Sequence, residues 1–462
     1  MNVRSNIVNT QSVRHQKFLD ISFNQDESCF SCSSENGFKV YNSNPLSCKL
    51  TYISNDQERC GIAYSKMLHR TNYIALLGGG LKPKYPPNKL IVWDDLKKKE
   101  SIVLKFMSPL KSVFISRIYI IAVLANSIEI FQFQPKTVKI CPSLSIEHNS
   151  TCDFVICQNN RSQRRGTNES NSFIKNKMSI KCYLAYVSPR MLGQIHIADL
   201  SQLRYNENNP DESQLLPTSI IKAHKSAIRL VRLNKQGTMV ATCSRQGTLI
   251  RIFSTINGVL LKEFRRGLDR ADIYEMSFSP NGTRLAVISD KQTLHIFQLT
   301  SLQSEEGNEN DTNKEKDNFN HNKTHVLRNY VPHIWKPKYI YSVWSMCSLH
   351  LKNPLLRDGL NSNEPDLEFL NDRCKIGWST GTGNDDNDNY YDEDTLILVW
   401  KGRGIWEKYV ILEHEHNDEN DEMHSPKVVK NYTINETLNR DASSTAPKKK
   451  KWELVRESWR EL

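Results

Sequence analysis

The sequence predicts an all-β fold, a seven-bladed β-propeller of four-stranded antiparallel blades, and three observations carry the prediction. Its ordered segments are short apolar or alternating runs of about four to eight residues between Gly, Asn, Asp, Ser and Pro breaks, the pattern of strands. These runs group in fours along the chain. One unit also repeats: SRQGTLIRIF at 244–253 returns as SDKQTLHIF at 289–297, 45 residues later, within the ~40–45 residues of a propeller blade.

Taken in order, FLDISFN, CFSCSS, GFKVYNS and SCKLTYI form blade one over residues 18–53. GIAYSKML, YIALLGG, KLIVWDD and SIVLKF form blade two. Blade three takes SVFIS, IYIIAVL, SIEIFQF and VKICPSL. Blade four contains CYLAYVS, GQIHIADL and TSIIKAH and is stretched by a polar, basic insert near 158–178. Blade five is IRLVRLN, MVATCSR, TLIRIFS and LLKEFRR. Blade six opens with IYEMSFS, RLAVISD and TLHIFQL, and its fourth strand, near YSVWSMCSL, follows an insert over 301–341. The first part of that insert is polar and poor in apolar residues, which predicts disorder. Blade seven takes CKIGWST, TLILVW, IWEKYVIL and WELVRESW, with an insert over 414–451. That insert ends in Lys448–Lys451, read as a linker. Residues 1–17 are expected to be a flexible N-terminus, and 18–462 one propeller. Blade seven owns four strands of its own, so the ring is expected to close by packing, without a borrowed N-terminal strand.

The chain has 462 residues, 38% apolar and 24% charged. No run of about 18 apolar residues predicts a spanning helix. The start, MNVRSNIVNTQSVRHQKF, lacks the apolar core of a secretory signal, so a cytosolic location is expected. Lys plus Arg number 62 against 51 Asp plus Glu, a net charge of +11. That excess suits an anionic partner, either nucleic acid or an anionic membrane. The 11 cysteines have no regular spacing and read as small buried hydrophobes. Cys29 and Cys32 sit three apart on a strand, where their side chains point to opposite faces, which argues against a shared metal. His414 and His416 are placed in an acidic loop.

No G-x-S-x-G, P-loop or HExxH pattern occurs, so neither an enzyme nor a cofactor or metal is expected. Gly78-Gly79-Gly80 precedes KPKYPPNK, which cannot open a helix and reads as an exposed hairpin in blade two. The hairpin from Leu81 to Asn88 is a candidate partner surface or a plain loop.

The sharpest local signal is KEFRRG at 262–267. Phe264, Arg265, Arg266 and Gly267 end the last strand of blade five, and strand alternation sends Arg265 and Arg266 to opposite faces. Blade five offers His224, Ser244, Thr248 and Arg251 beside one arginine. Blade six offers Ser289, Thr293 and His295 beside the other. Arginine forks grip phosphate in bidentate fashion, and hydroxyl and imidazole groups add further donors, a composition suited to a phosphorylated polyol. The same residue types also serve internal hydrogen bonds in a blade, and paired arginines also occur as solvated strand ends.

The segment KEFRRGLDRADIYEMSFSPNGTRLAVISDKQTLHIFQL resembles the PROPPIN family of phosphoinositide-binding, WD-repeat β-propellers. NYIALLGGG with NKLIVWDD, and IKAHKSAIRLVRLNKQGTMVATCSRQGTLIRIF, are similar to it as well. The ending WELVRESWREL resembles the family's fungal "homologous with swollen vacuole" branch. The resemblance implies two sites for phosphatidylinositol 3-phosphate and phosphatidylinositol 3,5-bisphosphate. The first would comprise Arg265 with His224, Ser244, Thr248 and Arg251; the second, Arg266 with Ser289, Thr293 and His295. Gln292 stands where blade five has Gly247, which puts the second turn in question. The resemblance further implies a blade-six loop that enters the bilayer, here through Tyr330, Ile334, Trp335 and Tyr339, aromatic and apolar side chains suited to the interface. Val343 and Trp344 are expected to begin the next strand and pack on the propeller. The implied roles lie in autophagy and vacuolar or endosomal protein transport. The chain would then move between cytosol and the vacuole, endosome and preautophagosomal membranes, with autophagy or trafficking proteins as partners. Two other readings compete: a WD-type protein scaffold without lipid specificity, and an RNA-associated basic propeller. The expectation here is a monomer with no nucleic-acid partner.

Overall fold

The computed structural model describes residues 18–54, 59–158, 180–201, 203, 216–299, 343–352, 371–379, 393–415 and 450–462. Seven antiparallel four-stranded sheets follow one another along the chain, each built from four consecutive strands. They span residues 20–53, 62–105, 110–145, 152–222, 228–265, 273–350 and 374–461. The architecture is the seven-bladed β-propeller expected from the grouping in fours.

Each pair of neighbouring blades encloses one apolar cluster, because alternate residues of every strand face one neighbour and the rest face the other. Between blades five and six lie Cys243, Ile250, Phe264, Val287 and Phe297. Between blades four and five lie Ile195, Ile221, Val231, Val240 and Phe253. Cys29 belongs to the cluster between blades one and two, whereas Cys32 belongs to the one between blades seven and one. The two thiols therefore do point to opposite faces. All described cysteines except Cys48 and Cys60 are buried.

The ring closes by packing, as anticipated. Phe18, Ile21 and Phe30 share a cluster with Ile397, Val399 and Trp406. Across the same seam the Phe18 N–H donates to the Lys401 carbonyl at 3.0 Å and the Trp406 indole donates to the Ser43 carbonyl at 3.1 Å. The Trp378 N–H donates to the Glu27 carboxylate at 2.8 Å.

The structure corrects several expectations. Blade four has a first strand, Cys152–Gln158, that runs directly into the polar insert and was overlooked. In blade three the fourth strand, expected over VKICPSL, is broken: Lys139 bridges to Phe131, and the ladder resumes at Leu144–Ser145. Pro142, with no N–H to donate, falls in the gap between these two contacts, on the edge strand of the sheet, where proline is tolerated. The fourth strand of blade six is Cys347–His350. Val343 does not begin it but bridges to Phe264 of blade five. His414 lies on a strand, Ile405–Glu415, and not in a loop. Lys450 and Lys451 open the final strand, so the lysine run is not wholly linker. Residues 1–17, 159–179, 300–342 and 416–449 lie outside the described residues. They contain His416, Tyr330, Ile334, Trp335 and Tyr339.

The first strands of the blades surround a central cavity of about 1210 Å3. Its wall carries a chain of charges, in which Glu275 is buried and its neighbours are half-buried. Arg232 of blade five pairs with Glu275 of blade six at 2.9 Å, and Glu275 pairs with Lys375 of blade seven at 2.7 Å. The Asp153 carboxylate accepts the Leu233 N–H at 2.7 Å. Lys66 donates to the Phe23 carbonyl at 2.5 Å, and burial pushes its ammonium down to about 8. Among the described residues no helix is long and apolar enough to cross a membrane.

Candidate functional site: two clefts flanking blade five

Blade five consists of Ile228–Leu233, Met239–Ser244, Leu249–Ser254 and Leu260–Arg265. Its register sorts the predicted residues. Thr242 pairs with Arg251, Arg251 with Glu263, and Leu249 with Arg265. Paired residues share a face, and Ser244 joins Thr242 two positions along. Val240 and Phe253 lie on this same face and pack on blade four. Thr242, Ser244, Arg251 and Arg265 therefore open toward the cleft between blades four and five.

His224, just past the last strand of blade four, completes that cleft. Its ring nitrogen meets the Thr242 hydroxyl at 3.0 Å. Its backbone is held because the Ala223 and His224 N–H groups both donate to the Gly193 carbonyl, at 2.9 and 3.0 Å. Gly193 has φ +74°, and a Cβ there would lie 2.0 Å from the His224 carbonyl oxygen, so no other residue fits. Arg251 donates to the Ala223 carbonyl at 2.7 Å and to the Glu263 carboxylate at 2.7 Å. Burial, reinforced by the Arg251 charge, pushes His224 down to about 4. Thr248 borders the cleft through its backbone, where its carbonyl accepts the Arg266 N–H at 2.9 Å.

Arg266 takes the other side. Its Nε donates to the Gly247 carbonyl at 2.8 Å and a terminal nitrogen donates to the Asp269 carbonyl at 2.5 Å. Facing it is blade six, whose strand Thr293–Gln298 pairs Val287 with His295 and Thr293 with His350. Val287 and Phe297 pack toward blade five, so Ser289, Thr293 and His295 share that direction. His295 contacts the Ser345 hydroxyl at 3.2 Å and Thr293 contacts His350 at 3.4 Å. Burial first, and the Arg266 charge second, push His295 down to about 4.

The two turns that lead into these clefts match. The Gly247 N–H donates to the Ser244 carbonyl and the Gln292 N–H to the Ser289 carbonyl, both at 3.0 Å. Gly247 has φ +64°, and Gln292 adopts φ +53°. The turn is thus kept in blade six despite the side chain. A Cβ at Gly247 would lie 1.8 Å from the Ala271 carbonyl oxygen, which explains why the exchange runs in that direction only.

The structure groups Arg265, Arg251, Ser244 and His224 on one side of blade five and Arg266, Ser289, Thr293 and His295 on the other; Thr248 is tied in only by its backbone, to Arg266. Sequence reasoning missed Thr242, Glu263, Gly193, Ser345 and His350. Thr242 was recoverable, since it stands two residues before Ser244 on one strand. Ser345 and His350 were not, because they follow a long insert and reach the cleft only through blade six. The return of the chain after that insert is itself tied to the motif: the Arg265 N–H donates to the Val343 carbonyl at 2.8 Å.

Two neutral histidines in a buried setting give a testable pH signature. The unfolded imidazoles take up protons near pH 6.5, whereas the folded ones resist until about pH 4. The unfolded state binds more protons in that window, so stability falls as pH drops through it. By pH 5 the loss is about 2 kcal/mol per histidine. Denaturant melts at pH 7.5 and pH 5 should show wild type losing more stability than His224→Gln or His295→Gln. The difference between proteins isolates this effect from the buried Asp20 and Asp153, whose raised values act oppositely.

The fold is that of the seven-bladed β-propellers, with arginine, hydroxyl and imidazole side chains grouped on both sides of blade five. The sequence profile of the PROPPIN family matches residues 18–332, and the chain belongs to that family of phosphoinositide-binding propellers. It is 52% identical to SVP1-like protein 2 of Saccharomyces cerevisiae, over 97% of each chain. It is 48% identical to SVP1-like protein 2 of Candida glabrata, over 96% of each. Among solved structures it is similar to Hsv2 of Kluyveromyces lactis, with 29% identity, a TM-score of 0.59, and coverage of 96% of this chain and 99% of that one. Kluyveromyces marxianus Hsv2 gives 26% identity, a TM-score of 0.58 and the same coverage.

Proposed function

We propose that the protein is a peripheral membrane effector that recognises phosphatidylinositol 3-phosphate and phosphatidylinositol 3,5-bisphosphate, one headgroup per cleft. It would act in autophagy and in vacuolar and endosomal traffic, recruiting protein partners from the cytosol. The observation that carries this reading is the division of Arg265 and Arg266 between two clefts, each lined by hydroxyl and imidazole groups. Arg265 with Arg251, His224 and Ser244 would hold one phosphorylated inositol; Arg266 with Ser289, Thr293 and His295 would hold the other. A phosphate entering beside His224 or His295 would favour the protonated ring, so affinity would rise as pH falls. The stretch that carries Tyr330, Ile334, Trp335 and Tyr339 shortly precedes, in the sequence, Val343, whose carbonyl accepts the Arg265 N–H. That attachment supports a role for these four residues in bilayer insertion beside the clefts.

Co-sedimentation with vesicles of phosphatidylcholine containing phosphatidylinositol, its 3-phosphate, its 4-phosphate or its 3,5-bisphosphate tests the reading. Wild type should pellet with the two 3-phosphorylated lipids, and an Arg265→Thr, Arg266→Thr variant should not. Equal pelleting with every anionic vesicle, or no loss in the variant, would leave general basic attraction and favour the scaffold reading.

A further inference from the structure

We infer that the outer edge of blade five is itself a membrane contact, with Leu260, Leu261 and Leu268 entering the interfacial layer of a bilayer whose headgroups fill the two flanking clefts. This rests on the lipid reading above and adds a contact that neither cleft supplies. Leu260–Arg265 is the outermost strand of its blade; Val343 bridges its outer edge at Phe264, and Leu260 and Leu261 precede that bridge. Leu268 is 66% exposed and Leu261 45% exposed; Ile256, Val259 and Leu260 are also exposed. No other stretch of comparable length among the described residues gathers so many exposed large apolar side chains. Folding gains nothing from leaving these groups in water.

The local backbone presents them outward. Phe253 pairs with Leu260 and Ile252 with Lys262, so Leu261 is the extra residue of a bulge on the edge strand. Leu261 and Arg265 lie four residues apart, about 13 Å along the strand. Leu268 follows the motif on the other side. At Gly267, between them, a Cβ would meet no atom of the described residues within 4 Å. Arginines flanked on both sides by exposed leucines on one edge form an amphipathic strip. Such strips lie in the plane of an interface, apolar groups about 5–10 Å deep and cations at the phosphates. The occupant is therefore a bilayer: the strip is continuous with the clefts, and a headgroup seated in both brings the lipid surface against the strand between them.

The test separates surface contact from headgroup recognition. Wild type, Leu261→Ser/Leu268→Ser and Leu261→Phe/Leu268→Phe would be titrated with phosphatidylcholine vesicles containing phosphatidylinositol 3-phosphate. The same proteins would be titrated calorimetrically with the water-soluble, short-chain form of that lipid. The serine variant should bind vesicles about tenfold more weakly, as expected for two half-buried leucines. It should bind the soluble lipid like wild type, and the phenylalanine variant should bind vesicles at least as tightly as wild type. Unchanged vesicle affinity in the serine variant, with headgroup binding intact, overturns this inference and leaves the lipid reading standing. Equal loss on vesicles and soluble lipid overturns it too, since the leucines would then only shape the clefts. Failure of wild type to bind the soluble lipid overturns both.

Discussion

Replacing Glu275 with alanine is expected to lower the unfolding free energy by about 2–3 kcal/mol, below the cost of breaking a fully buried ion pair because Arg232 and Lys375 keep partial access to water. Glu275 is buried at the wall of the central cavity and serves two cations at once, Arg232 at 2.9 Å and Lys375 at 2.7 Å. Both cations hold its carboxyl below the usual range, against the opposing effect of burial. Without it, Arg232 keeps only the more distant Asp153 as an acidic neighbour. Lys375 keeps Asp20, whose own carboxyl burial pushes upward and so stabilises as a charge less readily. The loss falls on blades five, six and seven together, because the triad ties their three first strands. Urea unfolding of Glu275→Ala should show the full loss, whereas Glu275→Gln, which keeps one acceptor, should lose less. A double variant, Glu275→Leu with Arg232→Met, should recover part of the deficit by removing a stranded charge along with its partner. If Glu275→Ala melts like wild type, the triad does not bind the blades together.

This triad also shows where the sequence stopped being legible. Arg232 in IRLVRLN and Glu275 in IYEMSFS were visible as charges inside apolar strands. Nothing local says that they meet, because the contact exists only once two first strands line the same cavity. The blades themselves were legible wherever four strands ran with short turns between them, as in blade five. The missed strand at Cys152–Gln158 abuts an insert, so its far boundary had no turn to mark it. In blade three the apolar run VKICPSL marks the fourth strand but does not show the break between Lys139 and Leu144.

The candidate site was legible for a different reason. Strand alternation alone divides Arg265 from Arg266, and the repeat places Ser244 and Ser289, and Gly247 and Gln292, at equivalent turns. What alternation cannot supply is the support behind the side chains. The Gly193 carbonyl that fixes His224 lies in the turn between the second and third strands of the same blade, and the Ser345 hydroxyl beside His295 lies 50 residues away across the insert. Both are products of strand pairing within a blade, β-ladders that bring a turn and a strand end together irrespective of their distance in sequence.

Removing one arginine at a time is expected to weaken vesicle binding far more than it weakens binding of a soluble headgroup. On a vesicle the second headgroup is captured by an already tethered protein, at an effective concentration in the millimolar range. Loss of one cleft therefore removes about a hundredfold or more of vesicle affinity. In free solution the two clefts act independently, so Arg265→Thr and Arg266→Thr should each reduce the number of short-chain lipids bound from two to one and leave the remaining site's affinity unchanged. The two variants differ in one respect. Arg266 also holds the Gly247 and Asp269 carbonyls, so Arg266→Thr loosens the turn beside the clefts, while Arg266→Lys keeps the charge but not both bonds. Arg265→Thr is the cleaner removal, because the Arg265 backbone bond to Val343 survives the change of side chain. Calorimetric stoichiometry of two, one, one and none across wild type, the single variants and the double variant would establish paired sites. A single variant that binds no soluble lipid, with its fold intact, would mean that both arginines serve one headgroup across the strand end.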